Sequence, residues 1–325
     1  VAQLRNILWA LQLTRIALVF TAIADIWLIT LLAHFAGETG ITTAGLPLPL
    51  WAMLLCTAGV ATGLYTFGMS LNDILDFRRD RTFAPQRPLP AGRIGLRGAV
   101  AITVAALLLA IVAAVPLGAV STLLAVATAG AILFYNSIGK HMPGVGVVTL
   151  GVIRGMHMLI AAPSLAYCWP VWLTVSHVIG ISAAAHRLED KRPAMVGRQV
   201  WIVVGFWSFI TLGLTLWMGR LGGLFIPTMP QLWVGPTLLA VVFIIVALRT
   251  AAAHPNHPRL AGGLIIKRGL LWLIVYDAAW LASAQLWWQA ALVGVLLPAA
   301  LGSMSLMRQV RQIIETPQFQ RDEAA

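Results

Sequence analysis

Charge is scarce in this sequence. Asp, Glu, Lys and Arg together make up 10% of the residues, against about 25% in ordinary soluble domains. So few charges cannot solvate a globular surface. They equally exclude a disordered chain, which needs low hydrophobicity and a high density of charge. The formal +11 does not point to nucleic acid, because the basic residues are scattered and form no dense patch. Cysteine is also rare. Cys56 and Cys168 are the two in the chain, and both lie in apolar stretches, which excludes a disulfide framework and a zinc site with paired-cysteine spacing. They read as packing residues.

Apolar length is what the chain has in quantity: 59% of its residues are hydrophobic and its mean hydropathy is +0.86. A bilayer core of about 30 Å takes roughly 20 apolar residues per helix, and lipid does not tolerate open sheet edges. Ten runs fit, from Ile7 to Phe35, Leu50 to Leu71, Leu96 to Val115, Leu117 to Tyr135, Gly144 to Pro163, Tyr167 to Ala185, Val200 to Met218, Leu232 to Leu248, Gly263 to Ala284 and Trp287 to Leu306. The expected fold is all-α, a polytopic membrane helical bundle of about ten spans with two pseudo-repeated four-helix halves. Residues 1–314 form one transmembrane domain and residues 315–325 a short polar cytoplasmic tail. The first run is far longer than a signal-peptide core and is read as a retained helix.

The Lys and Arg residues test this count, because cytoplasmic loops should hold them. With the amino terminus inside, Arg78 to Arg97, Lys140, Arg187 to Arg198, Arg249 to Arg268 and Arg308 onward all fall on inner loops, and the outer connections hold only Arg220. Both termini are therefore expected in the cytoplasm, with the protein in the inner (cell) membrane.

The eleven acidic residues can be inspected singly. One cluster closes the second span, where Asn72, Asp76 and Asp80 recur every four residues and line one helix face. A second closes the sixth span as His186-Arg187-Leu188-Glu189-Asp190-Lys191-Arg192-Pro193. Four helices separate them, so both emerge on the cytoplasmic side. Facing carboxylates of this kind can hold Mg²⁺ with positions left open for phosphate oxygens. Arg87, in Pro85-Gln86-Arg87-Pro88-Leu89-Pro90-Ala91-Gly92-Arg93, could make forked hydrogen bonds to phosphate, on a loop that its prolines and glycine fold back. The implied object is a diphosphate trap over an apolar cavity, facing the cytoplasm. A charged helix end is ordinarily a solvated interface; three polar groups on one face, an arginine-rich turn and a mirrored second cluster weigh against that here.

These residues resemble the UbiA superfamily of intramembrane prenyltransferases. Asn72-Asp73-x-x-Asp76-x-x-x-Asp80-Arg81, followed by Arg87-Pro88-Leu89-Pro90-Ala91-Gly92-Arg93-Ile94, is similar to the family's first signature, with fainter likeness at Arg15, at Tyr135 to Lys140 and at the second cluster. The resemblance implies a nine-helix core around a lipid-open cavity, Mg²⁺-dependent binding of a polyprenyl diphosphate, and prenyl transfer to a hydrophobic acceptor within the membrane lipid. It implies metal ligation by Asp76, Asp80, Asp190 and Glu189, with Asn72 orienting a ligand or a phosphate oxygen. Arg87, Lys140 and Arg15 would bind diphosphate, although snorkelling suits Arg15 equally. Tyr135 would offer its aromatic face to a carbocation, or serve as an interfacial anchor. Where the family usually has a second pair of aspartates, His186 takes the first position; there it could hydrogen-bond diphosphate, Glu189 could compensate as ligand, or the second metal could be weak or missing.

Three charges fall inside spans: Asp25, Arg154 and Asp277. Each should face the interior and find a partner. Asp25 could touch the acceptor or pair with Arg154. Gly59 and Gly63 form a small-residue stripe suited to close helix packing, and the thirteen tryptophans mostly mark interfaces. Two rival readings stand beside the enzyme: an ion-coupled carrier with internal repeats, and a degenerate prenyltransferase fold kept as a lipid-binding or assembly subunit.

Overall fold

The computed structural model describes residues 9–13, 16–35, 48–163, 167–220 and 231–314, and among these all regular structure is helical. Arg15 and the expected tail over residues 315–325 lie outside the described residues. The main helices are α1 Val19–His34, α2 Leu50–Leu75, α3 Phe77–Phe83, α4 Leu96–Ala114, α5 Ala119–Ser137, α6 Pro143–Leu159, α7 Cys168–Leu188, α8 Gly197–Arg220, α9 Gln231–Ala252, α10 Pro258–Ser283, α11 Trp287–Gly294 and α12 Leu296–Ile314. Each of the ten apolar runs carries helix. Seven are long and apolar enough to cross a membrane, and α1 and α6 are shorter apolar helices. The tenth run is split. Pro298 has no N–H to give the carbonyl four residues back, at Gly294, and the helix breaks between α11 and α12.

On α4 large side chains face outward and small ones inward, the reverse of a soluble helix. On α4 the buried residues are Ala99, Thr103, Ala106, Ala110 and Ala114, while Val100, Val104, Leu108 and Val112 stand exposed. Lipid is as apolar as leucine, so what draws such helices together is close backbone packing. Gly63 shows the consequence: a Cβ there would come within 2.6 Å of the Ala106 carbonyl oxygen and the Ala110 nitrogen. One turn away at Gly59 it would meet Ala113 Cβ at 2.9 Å. The Ser70 and Thr103 hydroxyls close the same seam, 2.9 Å apart and buried. Gly151 repeats the device between α6 and α7, against Ile179.

The tryptophans divide. Trp51, Trp201, Trp287 and Trp288 are exposed, as interface markers should be. Trp207, Trp172, Trp169, Trp233 and Trp280 instead stack edge-on or tilted in a chain across α8, α7, α9 and α10, with successive ring centroids 5.1 to 5.9 Å apart. Their indole N–H groups also tie helices, Trp172 to Thr211 at 2.8 Å and Trp207 to Ser176 at 2.9 Å. The expectation that tryptophan mostly marks interfaces is corrected for Trp172, Trp169, Trp233 and Trp280, whose rings pack between helices, while Trp207 ends the chain at the surface.

Candidate active site

The carboxyl-terminal end of α2 runs through Asp76 into α3 almost without interruption. The Asp76 N–H donates to the Asn72 carbonyl at 2.9 Å and the Asp80 N–H to the Asp76 carbonyl at 2.8 Å. At 3.6 residues per turn, Asn72, Asp76, Asp80 and Asp73 then fan over about 100° of helix surface, in that order. Two cations divide the fan. Lys140 Nζ donates to Asp76 Oδ1 at 2.7 Å and reaches Asn72 Oδ1 at 3.5 Å. On the other flank, Arg87 Nη1 donates to Asp80 Oδ2 at 2.6 Å and reaches Asp73 Oδ1 at 3.5 Å. Both close contacts are charge-assisted bonds at their usual short length. Asp73, 3% exposed, is a member that the four-residue spacing missed; its signal was the seven-residue interval to Asp80, two turns on the same face.

Local sequence explains how each cation arrives. The 84–95 loop turns back because Leu89 is buried with Leu13 and Ala99, against Ile74 and Ile94, while Gly92 takes φ +68° to let the chain reverse. That anchors Arg87 over Asp80. Lys140 sits in a single 3₁₀ turn, Gly139–His141, between α5 and α6. The turn packs tightly on α6, since a Cβ at Gly146 would lie 2.6 Å from the Gly139 carbonyl oxygen.

Beneath this rim lies a cavity of about 340 Å³ enclosed by α1, α2, α5 and α6. Leu64, Ile132, Leu150 and Ile153 make it apolar; Asn72, Tyr135 and Asn136 line it near the rim, and Arg154 and His157 further along α6. Asp25 does not line it. Asp25 is fully buried and accepts a hydrogen bond from Arg154 Nε, while Arg154 Nη2 donates to Thr21 at 3.0 Å.

The second cluster is turned in on itself. His186 Nε2 donates to the Pro193 carbonyl at 2.9 Å, Lys191 pairs with Glu189 at 2.9 Å and Arg192 with Asp190 at 3.7 Å. Asp190, just past the end of α7 at φ +47°, has a side chain 65% exposed. Among the described residues no three His, Cys, Asp or Glu side chains come close enough to hold a metal ion together. The structure thus gathers Asn72, Asp76, Asp80, Arg87 and Lys140, with Tyr135 below them. The hydrogen bonds and ion pairs of His186, Glu189 and Asp190 lie within their own loop, and none reaches that group.

The sequence profile of the UbiA prenyltransferase family matches residues 26–259. The chain belongs to the UbiA prenyltransferase family. The matched stretch takes in both acidic clusters, the Arg87 loop and Lys140. Among its relatives, the digeranylgeranylglyceryl phosphate synthase of Haloquadratum walsbyi is 28% identical over 155 residues, 48% of this chain and 51% of that protein. The synthase of the same name from Natronomonas pharaonis is 33% identical over 103 residues, 31% of this chain and 37% of that one. The chain therefore spans about half the length, or less, of these curated relatives. The fold is shared with solved UbiA proteins. The apo structure of a UbiA homologue from Aeropyrum pernix K1 aligns with TM-score 0.55 at 21% identity, over 80% of this chain and 96% of that one. A structure concerned with digeranylgeranylglyceryl phosphate synthase in membranes aligns with TM-score 0.54 at 18% identity, over 86% and 98%. This UbiA chain is an integral membrane protein by the same evidence and by the seven helices among the described residues that are long and apolar enough to cross a membrane.

Proposed function

We propose that this UbiA protein transfers a prenyl group from an allylic polyprenyl diphosphate to a lipid-soluble acceptor, with Mg²⁺ at the rim. The observation that carries the reading is the juxtaposition at the end of α2: carboxylates and two cations directly over an apolar cavity. A membrane-embedded site with that polarity suits a ligand that is highly charged at one end and greasy along the rest.

Mg²⁺ takes hard oxygen donors and keeps positions for phosphate, and the rim fits it. The bond from Lys140 occupies Oδ1 of Asp76, and the bond from Arg87 occupies Oδ2 of Asp80, so each carboxylate has a second oxygen to offer. Asp76 and Asp80 would hold the ion and Asn72 would orient a ligand beside them; a bound Mg²⁺ neutralises charge on the departing diphosphate. Arg87 and Lys140 supply positive charge already in place where negative charge grows on the leaving oxygen, and no reorganisation is needed at that moment. Tyr135, lining the cavity just inside, presents its ring to the allylic cation. The apolar walls keep water from that cation until the acceptor reaches it. The Lys and Arg pattern supports ten spans, with both termini and the rim on the cytoplasmic side of the cell membrane.

The direct test is release of diphosphate from a labelled polyprenyl diphosphate by the purified protein. Release that needs Mg²⁺ and is abolished in Asp76→Ala supports the enzyme. A second reading, a UbiA fold retained as a lipid-binding or assembly subunit, is favoured by the second cluster's engagement in its own loop. It expects no release at all.

A further inference from the structure

The cavity has another polar end that the rim chemistry leaves unused. Arg154 and His157 are one turn apart on α6 and both line it. At a rise of 1.5 Å per residue they lie about 16 and 21 Å along the helix from Pro143, away from the rim. His157 is 5% exposed, and neither of its ring nitrogens has a hydrogen-bond partner. A buried donor or acceptor left unmet is expensive and calls for an explanation. Its neighbours do not supply one. Arg154 is committed to Asp25 and Thr21, and Asp277, a neighbour of Asp25, is itself wholly buried.

We propose that His157 recognises the acceptor, taking an uncharged hydroxyl or carbonyl oxygen at the inner end of the cavity, while the allylic end of the prenyl diphosphate enters from the rim beside Tyr135. The charge balance selects the class. Asp25 already neutralises the Arg154 guanidinium, so a further anion finds no free cation there and a further cation would compete with Arg154 for Asp25. An imidazole offers one N–H and one lone pair, which suits a hydroxyl or a carbonyl. A cavity of this size with few polar groups at defined points is the usual form of a small-molecule site.

The inference rests on the prenyl-transfer reading for the word acceptor, and its test is separate. The protein is placed in nanodiscs and equilibrated with 1,4-naphthoquinone or with naphthalene, a probe of similar shape without the oxygens; empty nanodiscs correct for partition into lipid. The wild type should bind the quinone roughly tenfold more tightly, the worth of one buried hydrogen bond. His157→Phe should bind the two alike, and His157→Gln, which keeps a donor and an acceptor, should retain a preference should the phenylalanine variant fail to fold. No preference in the wild type, as expected if His157 merely holds water, overturns the proposal. So does a full preference in His157→Phe, or none in a folded His157→Gln. Diphosphate release by the wild type, measured alongside, decides the prenyl-transfer reading independently.

Discussion

Asp25→Asn removes a charge from the most deeply buried ion pair in the described chain. Asp25 is 0% exposed and its partner Arg154 has a side chain 13% exposed. Breaking a buried pair by deleting one partner ordinarily costs about 3–5 kcal/mol, most of it from the charge left behind. Here Asp277 stands beside Asp25 and is equally buried, so it can serve as counter-ion to Arg154. The expected loss for Asp25→Asn alone is therefore smaller, about 1–2 kcal/mol, near the upper range for polar contacts within membranes. The double variant Asp25→Asn/Asp277→Asn strands the guanidinium and should lose the full 3–5 kcal/mol. Adding Arg154→Met should recover most of it. The assay is reversible unfolding in mixed micelles by detergent titration, followed by helical circular dichroism. Distant, independent sites add to within about 0.5 kcal/mol. A double variant that equals the sum of its singles to that margin refutes the shared counter-ion.

Gly63→Ala should be destabilising by more than the 1–3 kcal/mol of ordinary overpacking, because its Cβ would meet the α4 backbone at 2.6 Å; Gly205→Ala, where nothing lies within 4 Å, serves as the neutral control in the same titration. Leu89→Ala should free the Arg87 loop from its apolar seat, raising KM for the prenyl diphosphate several-fold with little change in helical content. Lys140→Met, which leaves Asp76 without its 2.7 Å partner, should lower kcat by about 10²-fold, the usual cost of one preorganised donor.

What the sequence reveals of this site is what one helix can carry. Asn72, Asp76 and Asp80 recur within a single helical stretch, so periodicity alone aligns them. Asp73 belongs with them for the same reason, and was hidden only by reading intervals of four without intervals of seven. Lys140 is different: its contact with Asp76 joins residues 64 apart, and no local pattern encodes it; only the likeness to the UbiA signature suggested it. The second cluster was legible as a cluster and not as a geometry. Where Asp190 points depends on the backbone just past α7, where it takes a positive φ and turns toward Arg192. The membrane helical bundle was legible because lipid demands length; the break before α12 was not, since the run from Trp287 to Leu306 reads as one span until Pro298 is placed against the Gly294 carbonyl. The aromatic chain from Trp207 to Trp280 was not, because tryptophan obeys the same hydropathy whether it meets headgroups or another indole.

The central claim is that Asp76 and Asp80 hold a divalent ion together with diphosphate above the cavity. Electron paramagnetic resonance of Mn²⁺, in place of Mg²⁺, tests it without relying on turnover. With inorganic diphosphate present, the wild type should bind Mn²⁺ saturably, and Asp76→Asn/Asp80→Asn should lose that binding. Equal Mn²⁺ binding in a folded double variant would contradict the account.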